Sequence, residues 1–457
     1  MNKEMKTSKR FTGSPAHFLI PALCLSTALT ASGATLTWDG GASPGSGANW
    51  SANTSWKNTS GVDPAAPAGA SDVATFASAA NNVATVDGDF TVLALTLSPL
   101  AGPTVSTTLN ASGGIRTITV LGGSSNFRYD LTLNGVKLKK TVSNVFSLNG
   151  GLTTLTLNNG ASFEIAASGA AGQINTAANR TITSTSGNGS VEVVSGATFN
   201  ISAGSATATI DTPVSFTSAG TLNINQGTLD LKGTSTLGGT VDFNGVTAAS
   251  QATLINNGAM TANNLTVNRS GSNTPLLQNA GGTLTFAGSL VLNAPVSVTG
   301  GTVQGVTSSA SGAGDVSVSG TGTLSPAGSG VGTLRLPDQL TFTGGTYAVN
   351  IHYGTGSDQL IAGGAVALGD GLANLSVTSE NVAEGTVFTI LSGSSLTGTF
   401  AGLAEGGTVN GGAQSYTVNY TGTGVNLTAV PEPQFYAGAV GLGLLGFTVW
   451  RRNQKRA

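Results

Sequence analysis

Short runs of alternating apolar and polar residues recur along most of this chain, and one phrase marks where many of them begin. The runs include Leu131-Thr-Leu133, Leu155-Thr-Leu157, Phe163-Glu-Ile165, Val191-Glu-Val193, Leu222-Asn-Ile224, Val241-Asp-Phe243, Leu284-Thr-Phe286, Val316-Ser-Val318 and Leu340-Thr-Phe342. A period of two sends neighbouring side chains to opposite faces, so each run predicts a strand with one buried face. The phrase Gly-Thr-apolar opens strands at Gly220, Gly239, Gly282, Gly301, Gly322 and Gly345, with steps of 19 between the first two and 19, 21 and 23 between the last four. Repetition at about twenty residues is the mark of a solenoid or an array. Asn134-Gly135, Asn159-Gly160 and Asn257-Gly258 are also strong hairpin signals, which sets an antiparallel sandwich against the solenoid. The regular step favours an all-β, right-handed parallel β-helix, with rungs paired in register over a stacked apolar interior.

The remaining composition is consistent with a folded chain of this kind. Charged residues are 8% and hydrophobic residues 39%, with 67 glycines, whereas disorder needs high charge and low hydrophobicity. With strands ~4.8 Å apart, the body is expected to stack to a length on the order of 90 Å. All three tryptophans of the body fall early, in Thr37-Trp38-Asp39-Gly40-Gly41, Asn49-Trp50-Ser51 and Trp56. Residues 35–90 are therefore expected to form an N-terminal cap, 91–345 the β-helix repeats and 346–429 a C-terminal β region. The same Trp38, Trp50 and Trp56 are candidate carbohydrate contacts, because exposed indoles stack on sugar faces.

The two ends read as address labels. Residues 1–34 carry Lys3, Lys6, Lys9 and Arg10, then an apolar stretch from Ala16 to Leu29 and the small residues Ala31 to Ala34, which predicts a secretory signal peptide. Cys24, the one cysteine, lies in that segment. The exported body is thus expected to lack disulfides and thiolate metal ligands. Without 1–34 and 431–457 the body carries ten Lys and Arg against eighteen acids, about −8. So few cations give no phosphate-tracking stripe, which argues against a nucleic-acid partner. The one dense basic group, Lys137-Leu138-Lys139-Lys140, reads as a solvated strand face and turn.

At the other end, residues 430–457 hold Val430-Pro431-Glu432-Pro433, an uncharged run from Phe435 to Trp450, and the cations Arg451, Arg452, Lys455 and Arg456. Such a run is barely long enough to cross a bilayer, which takes ~20 residues, and the cations behind it would hold it on the cytoplasmic side. This tail resembles the PEP-CTERM sorting signal of Gram-negative bacteria. The resemblance implies transient passage into the inner membrane through 435–450, cleavage near the triplet by a membrane-embedded exosortase-type enzyme, and delivery to the cell surface or extracellular polymer.

A second resemblance lies in the body. Trp38-Asp39-Gly40-Gly41, Asn49-Trp50-Ser51, Gly312-Ala-Gly-Asp315-Val, Gly322-Thr-Leu-Ser-Pro326, Ser357-Asp358-Gln359-Leu360 and the stretch from Val387 through Tyr416 to Leu427 are similar to autotransporter-associated β-strand repeat proteins. This implies a passenger-like β-helical surface protein. After residue 428 the sequence has too few residues for the ~8 or more strands of a translocating barrel, so the sorting tail is expected to replace that delivery route.

Parallel β-helices also carry polysaccharide lyases and hydrolases, which need paired acid and base groups a few Å apart. The acids here, including Glu164, Glu192, Asp211, Asp230 and Asp242, are spread at about one per rung. Asp230 and Asp242 are the pair to weigh. His352, the one histidine outside the signal segment, sits in an ordinary alternating strand. Asp358 in Gly354-Thr-Gly-Ser-Asp358-Gln-Leu360 matches part of a calcium-binding nonapeptide and is the calcium candidate. Gly441-Leu-Gly443-Leu-Leu-Gly446 satisfies the dinucleotide fingerprint in letters, yet it lies in the apolar tail rather than after a strand. The sequence thus predicts a non-enzymatic, cofactor-free surface or matrix protein of structural or adhesive use, with extracellular polysaccharide or cell-surface glycans as partners. The competing readings are a carbohydrate-binding module and a polysaccharide lyase or hydrolase.

Overall fold

The computed structural model describes residues 33–39, 48–64, 68–77, 81–98, 106–122, 125–141, 145–148, 154–166, 170–174, 178–244, 252–270, 276–430 and 433–454; side chains at 433–439 and 453 are outside the description. The chain divides into Met1–Ser32, which lies outside the described residues, and a second unit, Gly33–Ala457. The signal-peptide expectation therefore falls on undescribed residues.

The second unit is a parallel β-solenoid. Three ladders of strands run through it, each winding contributing a strand to each ladder. One ladder begins with Thr35–Trp38, Val73–Phe76 and Ala94–Leu97. A second runs through Asn82–Val86, Ser106–Ala111, Asp130–Asn134 and Thr154–Asn158. The third takes Phe90–Val92, Arg116–Val120, Val136–Lys140 and Ser162–Ile165. Pairing is in register, so like residues stack: Leu131 lies beside Leu155, which lies beside Ile182.

Along the third ladder, Ile118, Leu138, Phe163, Val191 and Phe216 form one buried column. It continues beyond Ser235 through Met260, Leu284, Val303, Leu324 and Tyr347. Burying a Leu, Ile or Phe side chain contributes roughly 1.5–3 kcal/mol, and this column is repeated on each side of the interior. The even step expected from the sequence holds only locally. Phe216 pairs with Ser235 across a short winding, whereas Phe163 reaches its partner Val191 only after a distinctly longer one.

The recurring Gly-Thr phrase is a corner. A Cβ on Gly282 would lie 1.8 Å from the Gly258 carbonyl oxygen, and one on Gly301 would lie 2.0 Å from that of Gly282. The following threonine ties each corner to the winding before it: Thr283 N–H donates to Gly258 O and Thr302 N–H to Gly282 O, both at 2.9 Å. The same phrase marks two corners. Gly220 and Gly239 precede strands of the first ladder, and Gly282, Gly301, Gly322 and Gly345 strands of the third. The long step between Gly239 and Gly282 is therefore a change of corner.

Several strands bend and serve two ladders. Thr198–Ile210 pairs with Thr221–Leu231 on both sides of a register shift, with Gly204 and Gly227 in left-handed conformation at the bend. Asn134-Gly135 and Asn159-Gly160 turn the chain from the second ladder to the third, so these pairs make corners rather than antiparallel hairpins.

Pairing changes character near the C-terminal end. Thr333–Leu336, Gln359–Ala362 and Val387–Ser392 are parallel neighbours, but Val387–Ser392 then pairs antiparallel with Gly424–Val430, which pairs antiparallel with Ser415–Tyr420. Parallel and antiparallel strands here form one six-stranded sheet, the antiparallel ones extending it beyond Val387–Ser392. A helix follows at Pro433–Gln454. No helix among the described residues is long and apolar enough to cross a membrane. Val440, Leu442, Leu444, Leu445, Phe447, Val449 and Trp450 of this helix are exposed.

Candidate functional site

The residues singled out in the sequence fall at several places in the fold. The sorting residues lie at the end of the last strand and along the helix. Val430 closes the strand Gly424–Val430, and its carbonyl accepts from Gln414 Nε2. Pro431 and Glu432 lie outside the described residues, and Pro433 opens the helix. Arg451 and Arg452 are exposed in its last turn, where cations complement the negative end of a helix.

The three tryptophans lie in the interior. Trp38, Trp50 and Trp56 are 2%, 0% and 0% exposed. Trp50 and Trp56 meet edge-on at 4.9 Å between centroids, Trp38 and Trp56 at 5.1 Å, and Phe76 and Phe90 complete the cluster. The Trp56 indole N–H donates to Trp50 O at 3.0 Å. Stacking on a sugar needs an open ring face, and these faces are covered by one another. The packing that the early tryptophans supply is that of an aromatic plug at the first windings.

Asp358 is fully buried where the third ladder meets the second sheet. Its Oδ1 accepts Gly332 N–H at 2.9 Å, and its Oδ2 accepts Asn350 N–H at 3.0 Å and Asn350 Nδ2 at 3.1 Å. Asn350 Nδ2 also donates to Gly328 O and Gly330 O. Burial pushes the Asp358 carboxyl above its ordinary value, against the opposing pull of those N–H groups. Tyr347 next to it donates to Ile390 O at 2.5 Å, and burial together with the Asp358 charge holds its hydroxyl well above the usual tyrosine range. A calcium ion needs converging oxygen ligands. Asp358 is instead surrounded by N–H donors, so this site does not suit a cation, and no cluster of three metal-ligating side chains occurs among the described residues. The carboxylate acts as a clasp joining three segments.

The carboxylates weighed as a catalytic pair are parted. Asp230 lies on the second ladder between Thr209 and Ile255, and accepts from Asn257. Asp242 lies on the first ladder, where Asn268 donates to it at 2.9 Å and Asn293 donates to Asn268 at 2.9 Å. Asp242 thus joins a line of outward amides, whereas Asp230 has Thr209 and Ile255 as its ladder neighbours.

The basic group corrects the sequence reading at one position. Lys139 pairs with Glu164 at 3.1 Å on the outer face, as a solvated strand predicts. Lys140, one residue on, points inward and is fully buried, its ammonium 2.6 Å from Gly122 O and 5.8 Å from the Phe146 ring centroid. Burial lowers its pKa. Strand alternation decides this: a run of neighbouring lysines cannot all face outward.

His352 lies beside a feature that the sequence did not reveal. The strand Thr346–His352 reverses through a glycine turn, with His352 opposite Gly356 and Ile351 opposite Ser357. The His352 Nδ1 stands 3.6 Å from Glu380 Oε1, and Glu380 Oε2 accepts Tyr353 N–H at 2.7 Å. Beside this pair is an open cleft of about 260 Å³, whose apolar wall is Val382, Ala383 and Phe388 and whose rim includes Tyr353 and Thr386. Tyr353 is 71% exposed, the only exposed aromatic ring outside the C-terminal helix among the described residues. Glu380 follows the strand Asn374–Ser379, which pairs with the strand of His352 one winding earlier, so only the winding of the chain brings the two side chains together. Two larger clefts, of about 540 and 440 Å³, are lined by Thr212, Pro213 and Lys232, and by Asn110, Asn134 and Asn158.

No protein-family model and no curated protein matches this chain. The geometry on its own therefore carries the functional argument. It offers outward amide and hydroxyl ladders, a buried carboxylate clasp and a small aromatic-rimmed cleft.

Proposed function

We propose that this chain is an exported structural or adhesive protein of the cell surface or extracellular matrix, non-enzymatic and wound as a right-handed parallel β-helix. Its tail is a PEP-CTERM-like sorting segment, held transiently at the inner membrane and processed by an exosortase-type enzyme near Pro431, Glu432 and Pro433. The passenger-like body belongs, on this reading, with autotransporter-associated β-strand repeat proteins.

The observation that carries this reading is the regularity of the outer faces. Thr108, Thr132, Thr156 and Thr183 stand in line across successive strands. Asn200, Asn223, Asp242 and Asn268 make a second line, and Asn223 donates to Asn200 at 3.0 Å. Repeated polar lines offer many equivalent weak contacts to a hydroxyl-rich polymer. Display of many copies converts weak contacts into lasting attachment through effective concentration. A second reading, a carbohydrate-binding surface module, is favoured by the cleft at Tyr353.

Replacing Pro431, Glu432 and Pro433 together with alanine tests the processing step. The expected product keeps its C-terminus and stays in the membrane fraction. A variant with the mature mass and the location of the wild-type protein would refute processing at the triplet.

A further inference from the structure

We propose that the cleft at the Tyr353 turn binds a single uncharged hexose unit of a polysaccharide. The inference rests on the surface-protein reading above and gives that protein a specific ligand contact.

Three features converge there. The Tyr353 ring stands out of the body on a turn whose Gly354 and Gly356 adopt φ values of 75° and 101°. Apart from their chain neighbours, no atom lies within 4 Å of a Cβ built on either glycine, and the Tyr353 ring is itself 71% exposed. The aliphatic face of a pyranose is matched by an aromatic ring, which is both apolar and hydrogen-bond capable at one end.

Next to the ring, Glu380 and His352 supply complementary polar groups. The Glu380 carboxylate is fixed by the Tyr353 N–H at 2.7 Å and lies 3.6 Å from His352 Nδ1. It is 56% exposed at its side chain, so its free lone pairs face solvent. A carboxylate accepts hydroxyl hydrogens through strong charge-assisted bonds, and the imidazole can donate or accept beside it. Paired vicinal hydroxyls have this donor-and-acceptor pattern.

Size and charge then select the ligand. At about 260 Å³ the cleft is below the ~300–1,000 Å³ of clefts for drug-sized molecules, which suits one sugar ring with its neighbours in the chain extending outward. Among the described residues no Lys, Arg, Asp or Glu lines the cleft itself, and the carboxylate beside it is that of Glu380, 3.6 Å from His352 Nδ1. That arrangement disfavours uronates and sulfated sugars and favours neutral hexoses. Val382, Ala383 and Phe388 give the apolar wall against which the ring would sit.

Affinity electrophoresis of the full chain through gels containing a neutral glucan or a mannan, and through a gel with alginate as the acidic control, tests the assignment. Expected is retardation by at least one neutral polymer and none by alginate. Tyr353→Ala and Glu380→Gln should each weaken that retardation at least tenfold, while Tyr353→Phe keeps most of it. Both side chains are exposed, and matched circular dichroism spectra of the variants would show that the fold is kept. Retardation unaffected by Tyr353→Ala, or by alginate alone, overturns the proposal, as does failure of every neutral polymer. Cell fractionation of the same variants separates the two ideas. Surface location without polymer binding refutes this site alone, whereas polymer binding by a protein that stays inside the cell refutes the surface reading alone.

Discussion

At the scale of single residues, burial decides what a polar group does. Asp358 keeps its place because three N–H donors meet its two oxygens. An asparagine there would satisfy one side and turn an amide N–H₂ toward donors on the other. Asp358→Asn is expected to cost about 2–3 kcal/mol, the penalty for buried donors left unsatisfied, measured by urea denaturation. The pH dependence has an unusual sign. Because the folded pKa is raised, the folded state holds this proton more tightly than the unfolded chain, whose value is near 3.9. The contribution of Asp358 is thus most favourable below that value and diminishes as pH rises through the raised folded value. Wild-type stability relative to Asp358→Asn should fall over this interval; a difference that is flat or rises would contradict the assignment. Sequence could place Asp358 beside a turn, but its role depends on Gly332 and Asn350, which the winding delivers. The inward direction of Lys140 was legible in strand parity, because alternation does not stop at a charged side chain. The Trp38, Trp50 and Trp56 cluster was legible in number and position; its burial depends on how Phe76 and Phe90 close over it.

At the scale of elements, the corner glycines explain why the repeat could be read. Each corner is held by close backbone contact with the winding before it, so the Gly-Thr phrase recurs, at steps of 19 to 23 residues, where consecutive windings are short. Gly282→Ala would place a methyl 1.8 Å from the Gly258 carbonyl oxygen and is expected to destabilise by about 3 kcal/mol, the upper part of the range for forced overpacking. Gly330→Ala has no atom within 4 Å of the new carbon and should be within about 0.5 kcal/mol of wild type. Equal effects of the two in thermal or urea unfolding would count against the stacked-corner account. The strands themselves were legible because a two-residue period needs only local sequence. The three-ladder arrangement was not, since a ladder assignment depends on which strands sit one winding apart, and short and long windings coexist. The antiparallel turn of the C-terminal sheet was hidden for the same reason.

At the scale of the whole molecule, each winding touches mainly the windings before and after it, so stability should be close to a sum of winding and interface contributions. Removing residues 282–300, from one corner glycine to the residue before the next, deletes one winding and brings Gly301 to the place of Gly282. The shortened chain is expected to keep its β circular dichroism spectrum and a cooperative unfolding transition, at reduced stability. Loss of that spectrum would mean the windings are not interchangeable units. The function follows less directly from the fold than the fold from the sequence. A solenoid presents long polar faces, but the proposed address and the proposed partner contact lie in the ends and in one small cleft.

The central claim is export with processing of the tail, and the most direct test is the intact mass of the native protein from each cell fraction, with both termini mapped by peptides. The account predicts a surface or matrix species that begins near Thr35 and ends close to Pro431. A full-length C-terminus retained in the inner membrane would contradict it.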